Sequence, residues 1–292
     1  MKVESLTGER VAASETEVIG RQRRESDTLE LFPARAMMAL LDRDPTLLQR
    51  GSALPPGWHW LYFRPLARQS ALGDDGHPRR GEFLPLVDLP RRMWAGGRLR
   101  LLQPLRLGDE VERVSTIQNF TRKEGRTGPL AFVTVEHRIS GPSGLACEEE
   151  QVIVYRDAAS RTLQAAAPEI LKQQPRWSER FLPSSVALFR FSAITFNGHR
   201  IHYDYPHATA TEGYPNIVVH APLLALLLLD AAVRKAPSRS VAEYEYRATS
   251  PLYCGEPITL AGEAAGDTAF DLRATDASGR IGMKATASWL PS

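Results

Sequence analysis

An internal repeat constrains this chain more than any other feature. Arg100-Leu-Leu-Gln-Pro104-Leu105-Arg-Leu-Gly108-Asp109 and Arg247-Ala-Thr-Ser-Pro251-Leu252-Tyr-Cys-Gly255-Glu256 share the pattern R-x3-P-L-x2-G-[DE], 147 positions apart in a chain of 292. A pattern that recurs at half the chain length points to a duplicated unit, with each copy large enough for its own core. The surroundings agree. After the first match come Val111–Asn119 and Leu130–Ile139, rich in β-branched residues and joined by the turn-like Gly125-Arg-Thr-Gly128, then Cys147–Tyr155. After the second come Ile258–Glu263, Ala269–Ala274 and Gly282–Leu290, separated by Gly266-Asp267 and Asp276-Ala-Ser-Gly279. Each run reads as a strand bounded by turn residues.

Each half also offers a helix ahead of its strands. His220-Ala-Pro222-Leu223 to Lys235 consists mostly of strong helix formers, with Pro222 suited to the first turn and Arg234 and Lys235 to the C-terminal end of the dipole. Its seven consecutive apolar residues leave no polar face, so it should be buried nearly all round. Phe32–Leu41 is a shorter candidate in the first half. Together these predict an antiparallel sheet wrapped round a helix, twice. The expected division is a loose N-terminus at 1–27, an N-terminal domain at 28–158, a proline-bearing linker at 159–183 and a C-terminal domain at 184–292.

Composition excludes several classes. The net charge of +2 is no footprint for nucleic acid. No apolar run approaches the ~20 residues that span a bilayer. Two cysteines, Cys147 and Cys254, make neither a disulfide framework nor a metal cluster, which fits a cytoplasmic location. Arginine outnumbers lysine 31 to 5, which suits anion recognition as well as a GC-rich genome.

The chemistry concentrates in Thr195-Phe-Asn197-Gly-His199-Arg200-Ile-His202-Tyr-Asp204. With His207, it puts three of seven histidines within nine residues, directly ahead of the apolar helix. Leu188–Ile194, just before it, alternates like a strand. Three readings of the segment stand: a polar surface loop, a metal site from His199, His202, His207 and Asp204, or acid/base chemistry. The last needs a neutral imidazole, a polar partner and an oxyanion site. The free N–H groups at the start of the helix at 220–235 supply the oxyanion site.

Asn197-Gly-His199-Arg200-Ile-His202 resembles the Asp-x-Asn-Pro-x-His motif of the (R)-specific enoyl-CoA hydratases, or MaoC-like dehydratases. His202 matches the family's histidine, Asn197 stands at its aspartate and Arg200 at its proline. His220-Ala221-Pro222-Leu223 looks like the helix start whose backbone N–H holds the thioester oxygen, here at Ala221. The version in this chain looks like the type 2 hydroxyacyl-thioester dehydratases and the itaconyl-CoA or mesaconyl-CoA hydratases. Trp58-His-Trp-Leu-Tyr-Phe63, Gly76-His-Pro78 and Arg91-Arg-Met-Trp-Ala-Gly-Gly97 are similar to that subgroup's N-terminal half.

The resemblance implies an α+β double hot-dog, its C-terminal domain catalytic and its N-terminal domain degenerate and accommodating the ligand. It implies a hydro-lyase acting on an acyl-CoA thioester, with no cofactor or metal. The acyl group that best fits is itaconyl-CoA or mesaconyl-CoA, giving citramalyl-CoA. His202 would be the acid/base group, Asn197 would hold the water, and Ala221 N–H would hold the thioester oxygen. Arg200, His199 and His220 would contact substrate, with Arg200 weighed between a substrate carboxylate, a salt bridge to Asp204 or Glu212, and contact with a CoA phosphate. Arg64, Arg91, Arg92 and Arg98 would bind CoA, and Trp58, Trp60, Tyr62 and Phe63 would line its slot or pack the core. The alternatives are a 3-hydroxyacyl-thioester dehydratase of fatty-acid metabolism, a hot-dog thioesterase using Asp204 or Glu212, and a non-catalytic acyl-CoA-binding protein. No nucleic acid or membrane partner is expected. A chain that contains both halves leaves monomer and homodimer open.

Overall fold

The structure, a computed structural model, describes residues 15–125, 128–157 and 175–290. Its strands are β1 (Gln22–Thr28), β2 (Arg91–Leu101), β3 (Glu110–Gly125), β4 (Gly128–Gly141), β5 (Gly144–Arg156), β6 (Trp177–Phe181), β7 (Val241–Ala248), β8 (Ile258–Ala264), β9 (Ala269–Thr275) and β10 (Ile281–Trp289). Its α-helices are α1 (Glu15–Val18), α2 (Leu31–Leu40), α3 (Ser185–Thr195) and α4 (Ala221–Lys235). The strands form one antiparallel sheet in the order β1-β3-β4-β5-β2-β7-β10-β9-β8-β6.

That order is the duplication made visible. Each half contributes five strands, and read outward from the centre the two series correspond: β2 to β7, β5 to β10, β4 to β9, β3 to β8, β1 to β6. The halves meet where β2 pairs antiparallel with β7, in a register that sets Arg98 opposite Glu245. Those two positions differ by 147, the repeat's own offset, so the pseudo-twofold axis passes through this pair. The repeat glycines Gly108 and Gly255 both take positive φ, 96° and 81°, as the turns require.

The helix α4 fills the concave side of the second half. Leu223 to Leu229 are each at most 5% exposed, and the helix packs on β7 to β10. Each such leucine contributes about 1.5–3 kcal/mol of burial. At its C-terminal end Arg234 pairs with Glu179 and Asp230, and Arg43 of the first half also pairs with Asp230.

The structure corrects four expectations. Leu188–Ile194 belongs to helix α3 rather than to a strand. Leu188, Phe191 and Ser192 are buried while Val186 and Phe189 are exposed, a three-to-four spacing, and Ser184 Oγ caps the helix by accepting from Ala187 N–H at 3.1 Å. Within the N-terminus expected to be loose lies β1, and within the expected linker lies β6. These are the two edge strands, each paired on one side only. Residues 1–14 of the expected loose N-terminus and 159–174 of the expected linker lie outside the described residues, as do 126–127 of the expected turn that joins Gly125 to its register partner Gly128. Finally, the helices are unequal. By position after β1 and β6, α2 is the counterpart of α3. Among the described residues of the first half, only short 3-10 turns stand between α2 and β2, where a counterpart of α4 would come.

Candidate active site

A cleft of about 720 Å³ opens where that counterpart helix is missing, lined by residues of both halves. The histidine-rich segment 197–202 forms its C-terminal wall. Helix α3 ends at Thr195, and Phe196 turns the chain in the left-handed region at φ 51°. Asn197 N–H then donates to Ser192 O at 2.8 Å. Asn197 Oδ1 accepts from His199 N–H at 3.0 Å, which leaves the amide NH2 to face the cleft that Asn197 lines.

A short turn, Arg200–His202, delivers His202 to the cleft. His202 Nδ1 lies 2.8 Å from Val218 O. A carbonyl only accepts, so Nδ1 carries the proton and Nε2 keeps its lone pair. Burial pushes the imidazole down to about 4, against the Val218 hydrogen bond, so it is neutral near pH 7. Behind it lies His220, fully buried, with Nε2 2.8 Å from Ser192 Oγ. Burial, then the nearby His202 and His199, hold His220 well below the usual range. Helix α4 starts at Ala221, which lines the cleft beside Pro222. Its first N–H groups have no intrahelical acceptor and point the positive end of the dipole there.

A second loop, from the first half, is docked on this wall. Arg200 N–H donates to Asp75 O at 2.9 Å, and Arg200 Nη1 donates to Asp74 O at 3.0 Å. Gly76 sits so close that a Cβ on it would fall 1.9 Å from Gly198 O, at a φ of +84°. The loop presents His77, whose Nδ1 is 3.2 Å from Asp75 Oδ2 and whose ring is 4.1 Å from that of His199. Burial would raise Asp75, but the His77 hydrogen bond and charge hold it well below the usual carboxylate range. His77 and His199 are both lowered, chiefly by burial. His77 is marked in the sequence only by the Gly76-His-Pro78 resemblance, and Asp75 and Ser192 by nothing, because their placement depends on contacts with residues far along the chain.

The other site expectations divide. His199, His202, Asn197, Ala221 and Arg92 line the cleft, as do Trp60 and Phe63. Trp58 and Tyr62 belong to the core. His220 supports His202 from behind and does not line the cleft. Arg200 turns away: its guanidinium binds Asp204 at 2.7 and 2.9 Å, so the salt-bridge alternative describes it. Arg91 is spent on Glu212, and Arg98 pairs with Glu243 on the exposed face. Arg64 is not among the lining residues. The cleft instead carries Arg23, Arg79, Arg80, Arg113 and Arg156 beside Arg92. His207 and Asp204 do not join His199 and His202 as a metal set, since His207 faces Glu212 at 3.9 Å and Asp204 holds Arg200. Asp75, His77 and His199 do bring ligand-type atoms within 4.8 Å of one another. Both Asp75 oxygens already accept from His77, so the trio is a carboxylate–imidazole pair rather than a ligand set.

The duplicated antiparallel sheet packed on helices is a double hot-dog fold. Residues 57–254 match the family described as hydroxyacyl-thioester dehydratase type 2, and the chain belongs to that family, an enzyme of the hydro-lyase class. It is 43% identical over 268 residues to "Mesaconyl-C(4)-CoA hydratase" of Chloroflexus aurantiacus, covering 92% of this chain and 95% of the relative. It is 28% identical to "Hydroxyacyl-thioester dehydratase type 2, mitochondrial" of Schizosaccharomyces pombe, over 77% of this chain and 83% of the relative. Among solved structures, a MaoC-like dehydratase from Phytophthora capsici aligns with a TM-score of 0.70 at 13% identity, covering 96% of this chain and 100% of that one. A Mycobacterium tuberculosis protein described as a double hotdog fold aligns at 0.61 and 16% identity, over 96% and 99%.

Proposed function

We propose that this acyl-CoA hydratase acts on an enoyl-CoA whose acyl group carries a free carboxylate, mesaconyl-CoA or itaconyl-CoA, forming citramalyl-CoA. The observation that carries the chemistry is His202. It is neutral, its Nδ1–H is fixed on Val218 O, and it lines a cleft that begins at the first turn of α4. His202 Nε2 takes a proton from water as the oxygen bonds to the β-carbon. The Asn197 amide holds that water by donating to it, and Ala221 N–H holds the thioester oxygen as charge develops there. General acid/base help of this kind is worth ~100–10,000-fold, and an oxyanion donor ~3 kcal/mol.

The acyl group follows from the identity to the mesaconyl-CoA hydratase and from charge in the cleft. Arg92 is the arginine we assign to the substrate carboxylate. It lines the cleft, its charge acts on both His77 and His199, and no carboxylate among the described residues pairs with it. Of the remaining cleft arginines, Arg79 and Arg156 suit the CoA phosphates, since Arg23 and Arg113 pair with Glu25 and Arg80 is held on backbone carbonyls. The first half, lacking a counterpart of α4, makes room for the ligand while the second does the chemistry. A thioesterase reading is weaker, because Asp204 and Glu212 are both paired with arginines and neither lines the cleft.

The test compares turnover of mesaconyl-CoA and crotonyl-CoA in wild type, Arg92→Gln and Arg200→Gln. Arg92→Gln should lose at least ~30-fold in kcat/KM on mesaconyl-CoA and little on crotonyl-CoA. Arg200→Gln should lose similarly on both. Equal loss on both substrates in Arg92→Gln sinks the carboxylate assignment.

A further inference from the structure

The parent motif places an aspartate and a histidine on one segment, so that two groups can move protons. Here the aspartate position is Asn197, whose amide can hold water but cannot transfer a proton. The first half supplies a replacement. We propose that His77 is a second acid/base group of this active site, delivering the α-carbon proton, and that Asp75 positions it; the proposal rests on the hydratase reading above.

His77 repeats the arrangement of His202. Each imidazole lines the cleft, and each has Nδ1 tied to an acceptor, leaving Nε2 as the free nitrogen. The acceptors differ. Val218 O is a neutral carbonyl, whereas Asp75 is a carboxylate, which favours the protonated ring. Both rings start neutral, since burial lowers each, and the division of labour follows from their partners: His202 accepts the proton from water, and His77, whose carboxylate partner stabilises a proton on it, passes one to the α-carbon. The placement is rigid, because the loop is held by Arg200 N–H on Asp75 O at 2.9 Å and by the Gly76–Gly198 contact that excludes any side chain.

In hydration the water O–H bond breaks toward His202 Nε2 and the oxygen bonds to the β-carbon. The π pair moves to the α-carbon, with charge delocalised onto the thioester oxygen. The proton taken by His202 passes to His77 Nε2, and His77 then gives it to the α-carbon. All the imidazoles end neutral, as they began. His199 lies between His202 and His77, its ring 4.1 Å from His77 and 5.2 Å from His202, and carries the proton from one to the other.

The experiment measures hydration of mesaconyl-CoA, and exchange of the α-hydrogen of methylsuccinyl-CoA in D2O, a thioester with no β-hydroxyl to lose. In the wild type both should proceed. His77→Gln and His77→Asn, checked for an unchanged melting temperature, should lose ~100-fold in kcat with KM within ~3-fold, and should lose exchange as well. His202→Gln should lose hydration far more than exchange. Asp75→Asn should shift the pH dependence of exchange to lower pH, which a purely structural role would not do. Wild-type-like hydration in both His77 variants overturns the proposal, as does absence of exchange in the wild type. Loss of activity to a chelator with recovery on Zn²⁺ also overturns it. A wild type that hydrates no enoyl-CoA defeats the hydratase reading itself, a result distinct from these.

Discussion

The imidazole of His202 stacks on that of His220, ring centroids 3.7 Å apart and planes 20° apart. His220 is therefore the floor on which the proposed base rests, and Ser192 Oγ, 2.8 Å from His220 Nε2, anchors that floor to helix α3. Removing the anchor leaves a buried imidazole with no partner on either nitrogen, since His220 Nδ1 already lacks one.

Ser192→Ala should cost about 1–3 kcal/mol of stability. It should lower kcat by roughly tenfold with KM nearly unchanged, because His220 does not line the cleft. Thermal unfolding and steady-state kinetics on the same preparation check both parts.

Stability should fall with acid. His202 and His137 are both pushed down to about 4 by burial, and both are under a tenth exposed. Unfolded histidine titrates near 6.5, so below that pH the unfolded chain binds protons that the native state refuses. Stability then rises with pH, and is lost as pH falls from about 6.5 toward 4, by up to ~1.4 kcal/mol per unit for each histidine. Urea midpoints at pH 7.5 and 5.5 measure this, and equal midpoints would contradict it. The acid limb of kcat/KM should lie near 4, where His202 gains its proton.

Gly76→Ala should displace the docked loop, because its Cβ would meet Gly198 O at 1.9 Å and its φ of +84° is strained for alanine. We expect a loss of ~2 kcal/mol or more in stability and at least tenfold in activity. Gly20→Ala, also at positive φ but in open space, is the control and should cost about 1 kcal/mol and no activity.

Beneath the first half's share of the cleft, Glu149 is buried and accepts from Trp60 Nε1 at 3.0 Å, with His59 Nε2 at 3.1 Å. His59 and the nearby His137 hold its carboxyl low against burial. His59→Ala should destabilise by ~3–5 kcal/mol by leaving the carboxylate unpaired, and Glu149→Gln by less, as chemical denaturation will show.

Much of this fold is legible in the sequence because burial writes it there. The repeat marks two halves, the apolar run marks α4, and the strands facing the core alternate. The two edge strands were not legible for one shared reason. In β1, Gln-Arg-Arg-Glu-Ser-Asp-Thr, and in β6, Trp-Ser-Glu-Arg-Phe, few side chains reach the core. Charged edges of this kind guard against unwanted pairing and carry little hydrophobic signal. Helix α3 reads locally as a strand because Phe189-Arg190-Phe191-Ser192-Ala193 alternates apolar and polar, whereas its buried face follows the helical spacing of Leu188, Phe191 and Ile194.

The candidate site divides along the same line. His202, Asn197, His199 and Ala221 are adjacent in sequence to the helix that places them, so a local motif exposes them. Arg200 was legible as a residue near the chemistry but not in its direction, which Asp204 four positions on decides. Asp75 and His77 lie more than a hundred residues from His199, and only the docking of two loops brings them together.

The central claim is that this chain hydrates enoyl-CoA thioesters with His202 as the base. Following the loss of enoyl-thioester absorbance with mesaconyl-CoA in wild type and His202→Gln tests it most directly. The wild type should turn the substrate over, and His202→Gln, melting at a similar temperature, should lose at least ~100-fold. Near-normal turnover in folded His202→Gln would contradict it.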